Sequence, residues 1–555
     1  MQNHRYHSAA TLLHKAISHA ESCKIEDKVF ETNMASVYRI AASSFLCAAE
    51  DLQRTPEVQS DDASHNFPKS MAVKYGLRAR TEEPEDFGTR LLLFRAFLLS
   101  NDPGRAAEEL QRASTDMFEF DVGALAAAAC SAKDAKATKA VLVALECILD
   151  LGKKSPSSLA GTPAGFYGVV LCATVELILD HCEYNEKQGP RTDLTSSPPM
   201  SKEQGTEDLK FRNISTLQKI HTVLRKGIEG AEQLRWQRAL EAASDSPGKD
   251  EMLEFLASVS WNAARDAAMR QEWELACNLF DITFVFSDQK NNSTGKLQTM
   301  KICRLIAADA LIKSAESLPL QKVRQVLEKA KSKLTDARNI ITKVLQLSHD
   351  ENEDSVLTYV AILQAKCLSE LRDSVSLRAL VYEVTGASYG TAYLLDQLGS
   401  ICYHSTPRHD ATSTKANFFR DDMLDICMYC LDQSMKKRLS SSQVDFPTVA
   451  AALREMIKIE LSRRTERAFA FAARAVGIFE EHHKHERANE NDTTSYPLDE
   501  GRWLTATTWE TAMSLHRMNK VEDARQWASL SVRAAESDNS LAAYAPRIRQ
   551  FLSTI

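Results

Sequence analysis

Two stretches far apart in this chain repeat the same positions at the same offsets. Trp261 is followed by Ala264, Ala276, Leu279 and Phe280; Trp509 is followed by Ala512, Ala524, Trp527 and Ala528. A weaker copy runs through Leu91, Phe94, Ala106 and Leu110, with Ser100-Asn-Asp-Pro-Gly104 between its halves. A bulky residue, a small one three positions on and a second small one past a break describe two antiparallel helices. The bulky residue anchors the first helix, and only a small side chain fits where the second crosses it. A chain of 555 residues is too long for one compact core. Recurring hairpins solve that by stacking, each burying its apolar face on the next.

The rest of the sequence agrees with this reading. Apolar residues recur at three- and four-residue spacing, as in Ala10, Leu13, Ala16 and Ile17 or Val37, Ile40, Ala41 and Phe45. Aromatics are 7% of the chain, with only 19 Gly and 15 Pro, so sheet turns have few residues to use. The expected fold class is all-α: degenerate helix-hairpin repeats stacked as an α-solenoid in a right-handed superhelix. Polar stretches at 55–69, 184–207, 244–250, 288–296, 406–415 and 485–500 read as surface loops. They divide the chain into an N-terminal hairpin array at 1–183, a polar loop at 184–207 where proteolysis is expected first, and a central array at 208–484. A second polar loop at 485–500 and a C-terminal repeat with a capping helix at 501–555 complete the division.

Charge and cysteine content narrow the function classes. A formal charge of −7 argues against coating nucleic acid by electrostatics alone, so any DNA contact is expected to be indirect. Twelve Cys without a recurring spacing read as buried hydrophobes in a reducing compartment, nucleus or cytoplasm. The N-terminal segment lacks a signal-peptide core, and the most apolar stretch, Phe166 to Leu179, carries Glu176 and is shorter than the roughly 20 residues of a membrane span.

The repeated pattern resembles the tetratricopeptide repeat, although Arg265 and Met513 stand where that pattern has Gly. The distance from Trp to the second-helix Ala is also one residue short, so tighter turns are expected. Trp261-Asn-Ala-Ala-Arg-Asp-Ala-Ala, running on through Trp273-Glu-Leu-Ala-Cys-Asn-Leu-Phe280 and preceded by alanine-dense hairpins over Thr89 to Gly152, is similar to the signature of the meiotic Zip-four/Spo-twenty-two-type proteins. That resemblance implies a nuclear, chromosome-associated scaffold that promotes synaptonemal complex assembly and crossover recombination. It implies chromosome-axis and crossover-promoting proteins as partners, held in the grooves between repeats. It carries no catalytic residues, metal or cofactor. A scaffold subunit of another nuclear or cytoplasmic complex fits the same repeats.

Few residue clusters suggest chemistry. Asp421, Asp422 and Asp425 form the D-D-x-x-D string that holds Mg²⁺ in all-α terpene synthases. Its partner motif would have to be Asn491, Ser495 and Asp499, and Pro497 interrupts the helix those residues need. The plainer reading of the string is an acidic helix start. Cys427 and Cys430 lack a second pair at zinc-site spacing and read as core packing. His482, His483 and His485 read as a helix end fraying into a polar loop. Gly161, Gly165 and Gly168 do not form a phosphate loop. The basic runs Met435-Lys-Lys-Arg438 and Arg463-Arg-Thr-Glu-Arg467 fit a nuclear-import signal or a solvated helix face.

Overall fold

The computed structural model describes residues 3–22, 28–54, 62–116, 121–159, 162–163, 165–187, 213–234, 248–290, 294–347, 353–405, 414–441, 444–463, 466–488, 496–538 and 540–555. Among them are 22 α-helices and no strand. The chain is an all-α solenoid that divides into two compact units, Met1–Ala310 and Leu311–Ile555. The division falls inside the 208–484 segment and not at a polar loop.

The first unit holds α1 (Asn3–Ser22), α2 (Lys28–Arg54), α3 (Asp62–Glu82), α4 (Phe87–Leu99), α5 (Pro103–Asp116), α6 (Val122–Asp134), α7 (Thr138–Lys154), α8 (Phe166–Lys187), α9 (Ile214–Gln233), α10 (Lys249–Met269), α11 (Trp273–Asp288) and most of α12 (Thr294–Ala315). The second holds α13 (Leu320–Leu347), α14 (Glu353–Glu370), α15 (Ser374–Gly386), α16 (Ala392–His404), α17 (Thr414–Leu439), α18 (Phe446–Arg463), α19 (Arg467–Ala488), α20 (Leu498–Arg517), α21 (Val521–Ser537) and α22 (Ala545–Thr554). Apart from α12, each described helix contacts the next or the next but one within its unit, the connectivity of a solenoid.

One turn recurs five times and sets the hairpins. Asn101, Lys136, Gln271, Arg372 and Asn519 are the non-glycine residues with positive φ among the described residues, at 53 to 63°. Each is the middle of a three-residue link between two helices: α4–α5, α6–α7, α10–α11, α14–α15 and α20–α21. The residue after it donates its N–H to a carbonyl five residues back: Asp102 to Phe97, Ala137 to Ala132, Glu272 to Ala267, Asp373 to Leu368 and Lys520 to Leu515, all at 2.9 to 3.0 Å. This is a Schellman closure of one helix whose last residue is at once the N-cap of the next. No residue is left over to splay the pair.

Counted from these left-handed residues, the packing positions coincide. Seven residues before stand Phe94, Ala129, Ala264, Ala365 and Ala512; five after stand Ala106, Val141, Ala276, Leu377 and Ala524; nine after stand Leu110, Leu145, Phe280, Val381 and Ala528. All fifteen are buried. The three copies read from sequence are therefore joined by two more, around Lys136 and Arg372. Their first helices carry Ala126 and Ile362 where Trp261 and Trp509 stand, which hid them.

In the second unit, ion pairs stitch every other helix. Lys331 of α13 reaches Asp373 at the head of α15 at 3.1 Å, and Arg338 of α13 pairs with Glu383 of α15. Arg378 of α15 meets Asp422 of α17 at 3.3 Å; Asp432 of α17 meets Arg474 of α19 at 2.8 Å; Glu480 of α19 meets Arg533 of α21 at 2.7 Å. Each is partly exposed and worth at most about 1 kcal/mol. Their role is to fix the rotation of each helix in the layer, and so which residues line the grooves between helices.

Several polar stretches expected as loops are partly helical. α3 begins at Asp62 and carries Pro68 inside, burying Met71, Ala72 and Tyr75 just beyond it. α12 begins at Thr294, α19 continues to Ala488 and α20 starts at Leu498, one residue after Pro497 as its N-cap. Polar residues on the solvent face of a helix produced these loop readings. α8 extends to Lys187, and the remainder of the 184–207 segment lies outside the described residues. Among the described residues no helix is long and apolar enough to cross a membrane.

Candidate functional site

The residues singled out by the repeat are placed in the packing of two hairpins. In the first, Trp261 of α10 sets its ring edge-to-face on Phe280 of α11, and Ala264 and Ala276 are fully buried. In the second, Ala512, Ala524 and Ala528 are fully buried and Trp527 is 6% exposed. Trp509 turns its ring onto Phe551 of α22 at 4.9 Å, and Trp527 meets Phe469 of α19 at 5.5 Å. So the two tryptophans of the second copy reach across to neighbouring helices, whereas Trp261 closes its own hairpin.

That packing presents the opposite face of α21. With Ala524, Trp527 and Ala528 turned inward, Arg525, Gln526, Ser529 and Arg533 are exposed. They form one wall of an open groove of about 500 Å³, with Phe469 and Ala473 of α19 opposite, Leu530 buried beneath and Leu552 of α22 at one end. Arg533 donates from Nε and Nη2 to the two Glu480 oxygens at 2.9 and 2.7 Å. This bidentate pairing raises the Arg533 pKa and holds the guanidinium in place. Arg525 pairs with Glu522 at 3.6 Å and reaches the Ile555 carbonyl.

A smaller groove of about 250 Å³ lies between α13, α14 and α15. Lys331, Arg338 and Glu383 edge it, and Leu334, Leu368 and Leu380 give it an apolar floor. Both grooves sit between successive hairpins, where a solenoid offers concave surface.

The clusters that suggested chemistry are differently arranged. Asp421, Asp422 and Asp425 do not start a helix; they lie well inside α17, which begins at Thr414. Ser374 donates to Asp422 at 2.9 Å and Arg378 pairs with it from α15, while Arg463 of α18 bonds Asp425 at 2.7 Å and approaches Asp421 at 3.9 Å. The three carboxylates thus face cations on two different helices. Asn491 and Ser495 lie outside the described residues, and Asp499 is an exposed residue in the first turn of α20. Among the described residues no group of three or more His, Cys, Asp or Glu side chains is placed to hold a metal ion.

Cys427 and Cys430 are buried on α17 in the same core cluster as Cys402 of α16. Burial pushes the Cys427 thiol up to about 12 and raises the Cys402 and Cys430 thiols well above the usual range. His482 and His483 do not fray: α19 runs past them, His482 packing on Phe446 at 4.4 Å and His483 on Phe479 at 4.6 Å. The side chain of His485 and the backbone of Gly161 lie outside the described residues, while Gly165 has φ 77° just before α8 and Gly168 is inside that helix. In the basic runs, Arg438 is tied to Asp396 and to Asp445 at 3.2 Å, Lys436 to Asp432 at 2.6 Å, and Arg463 to Asp425.

No family model matches the chain, and no curated protein does. Among solved structures it is similar to a circular tandem repeat protein with novel repeat topology and enhanced subunit contact surfaces, at 12% identity over 94% of this chain and 99% of that one, with a TM-score of 0.22. It is also similar to a chain of the structure of Naa15/Naa10 bound to HypK-THB, at 10% identity over 99% of this chain and 89% of that one, with a TM-score of 0.13.

Proposed function

We propose that this chain is a non-enzymatic scaffold whose inter-hairpin grooves hold partner proteins. The observation that carries the reading is the division of labour on α21. One face of that helix is spent on packing through Ala524, Trp527 and Ala528, and the other lines an open groove through Arg525, Ser529 and Arg533. Grooves of this kind take a partner helix or extended segment by laying apolar side chains into the floor and polar ones along the rim. A terpene-synthase-like reaction at Asp421, Asp422 and Asp425 finds no support, since a diphosphate-bound Mg²⁺ cluster needs carboxylates that converge on one space.

Within the scaffold class, we propose a nuclear protein of meiotic chromosomes that promotes synaptonemal complex assembly and crossover recombination. Support comes from the Trp261-Asn…Trp273…Ala276…Phe280 signature in the central hairpin. The chain would bridge chromosome-axis and crossover-promoting proteins and meet DNA through them. Affinity purification of the tagged full chain from meiotic and vegetative cultures of its own organism, with mass spectrometry of what co-purifies, tests both levels. Axis and crossover proteins recovered only from the meiotic culture support the meiotic role. A constitutive complex of other subunits keeps the scaffold and discards that role, and recovery of the chain without partners discards both.

A further inference from the structure

We propose that α13 holds a partner helix along one cationic flank, a helix with acid, acid, base and acid at successive seven-residue intervals, read in either direction. This rests on the scaffold reading and names the chemistry of one partner. α13 carries seven Lys and Arg residues against two acids, Glu328 and Asp336, a net charge of +5 in a chain whose formal charge is −7. Elsewhere the basic runs are neutralised inside the fold, as at Lys436, Arg438 and Arg463. On α13, Lys331 and Arg338 are spent in the same way on Asp373 and Glu383. Lys322, Lys329 and Lys343 are different: they are exposed and stand in no ion pair among the described residues.

The helix period sets these lysines in a row. Leu327, Ala330, Leu334, Ala337 and Ile341 form the buried stripe of α13. Lys322, Lys329 and Lys343 lie to one side of that stripe, with Asp336 at the heptad position between the last two. At 1.5 Å per residue the row runs about 32 Å, with about 10.5 Å from one heptad position to the next. Such a row drifts by about 20° per heptad on a straight helix, so all four side chains stay on one flank.

The order of signs selects the occupant. A helix laid alongside, with Asp or Glu opposite each lysine and Lys or Arg opposite Asp336, pairs every position of the row, as the flanking positions of a coiled coil do. A nucleic-acid backbone is negative throughout and sets a phosphate against Asp336, so the row fits it worse. Within its unit the extensive packing of α13 is on α14, and the two spent cations join it to α15, which leaves the lysine flank accessible.

Carbodiimide, which joins a lysine amine directly to a carboxylate, tests this on the complex isolated with the tagged full chain, with and without nuclease digestion. The expected result is amide links from at least two of Lys322, Lys329 and Lys343 to acids of one partner segment that keep the same seven-residue spacing, unchanged by nuclease. Recovery of that partner should fall at least about fivefold in the K322E/K329E/K343E variant and return in K322R/K329R/K343R. The three lysines are exposed, so both variants should fold; if charge reversal lowers the melting temperature, K322Q/K329Q/K343Q replaces it. No links from these lysines, links to acids without that spacing, loss of the partner on nuclease digestion, or equal recovery with every variant overturns the inference. Partners linked only elsewhere on the chain leave the scaffold reading standing, whereas a chain isolated with no partner ends both.

Discussion

Trp261 meets Phe280 edge-to-face, with 5.3 Å between ring centroids and 78° between ring planes, and so closes the α10–α11 hairpin beside the buried Ala264 and Ala276. The hairpin has no slack there. Ala276→Leu should overpack it and lower stability by about 1 to 3 kcal/mol. Urea unfolding followed by far-ultraviolet circular dichroism checks this, and an unchanged midpoint would contradict the role of Ala276 as the crossing residue.

The left-handed link is the second device. A residue with a Cβ held in that region gives up roughly 1 kcal/mol that glycine does not. Gln271→Gly should therefore hold or raise the melting temperature, gaining up to about 1 kcal/mol, while Gln271→Val, β-branched, should lower it by about 1 to 2 kcal/mol. Gln271 is exposed, so neither change disturbs a core contact. Opposite signs for the two variants in differential scanning fluorimetry are expected, and two equal losses would argue against a conformational origin.

How much of this could be read from sequence follows from where the constraints lie. The helical class and the copies at Trp261 and Trp509 were legible because two bulky and several small residues keep their chemistry. The copies around Lys136 and Arg372 were not, because their turn is a backbone conformation that long polar side chains adopt without a glycine to mark it. Realigning on a polar residue five positions before a buried small or aliphatic one finds all five. The carboxylates on α17 were misplaced for another reason: their partners Arg378 and Arg463 are remote in sequence, so a shared acidic string looked like a helix start. The groove by Arg525 was likewise invisible, since the repeat marks only the inward face of its helix.

Asp445 links a helix head to the ion-pair layer. Hydrogen bonds from Thr448, whose backbone N–H lies 3.2 Å from Oδ1, and then the charge of Arg438 hold its carboxyl below the usual range. A depressed pKa contributes stability above the unfolded value, about 4, and the contribution is lost as pH falls through the folded value. Asp445→Ala should cost about 1 kcal/mol at neutral pH. The gap from wild type should narrow as pH drops below about 4. A gap independent of pH would show that the charge plays no part.

The thiols offer a test of the core. Cys402, Cys427 and Cys430 are buried with raised pKa values, whereas Cys130 is exposed. Labelling with a maleimide at pH 7, mapped by mass spectrometry, should modify Cys130 within minutes and leave the other three unmodified until denaturant is added. Rapid labelling of Cys427 or Cys430 in the native chain would mean that α16 and α17 do not pack as described.

Whether the chain works by holding proteins in its grooves is most directly decided by cross-linking mass spectrometry on the complex isolated with the tagged full chain at about 0.15 M salt. Partner cross-links concentrated on the helices that line the inter-hairpin grooves are the expected result. A chain isolated without stoichiometric partners, under every growth condition tested, would contradict the scaffold function.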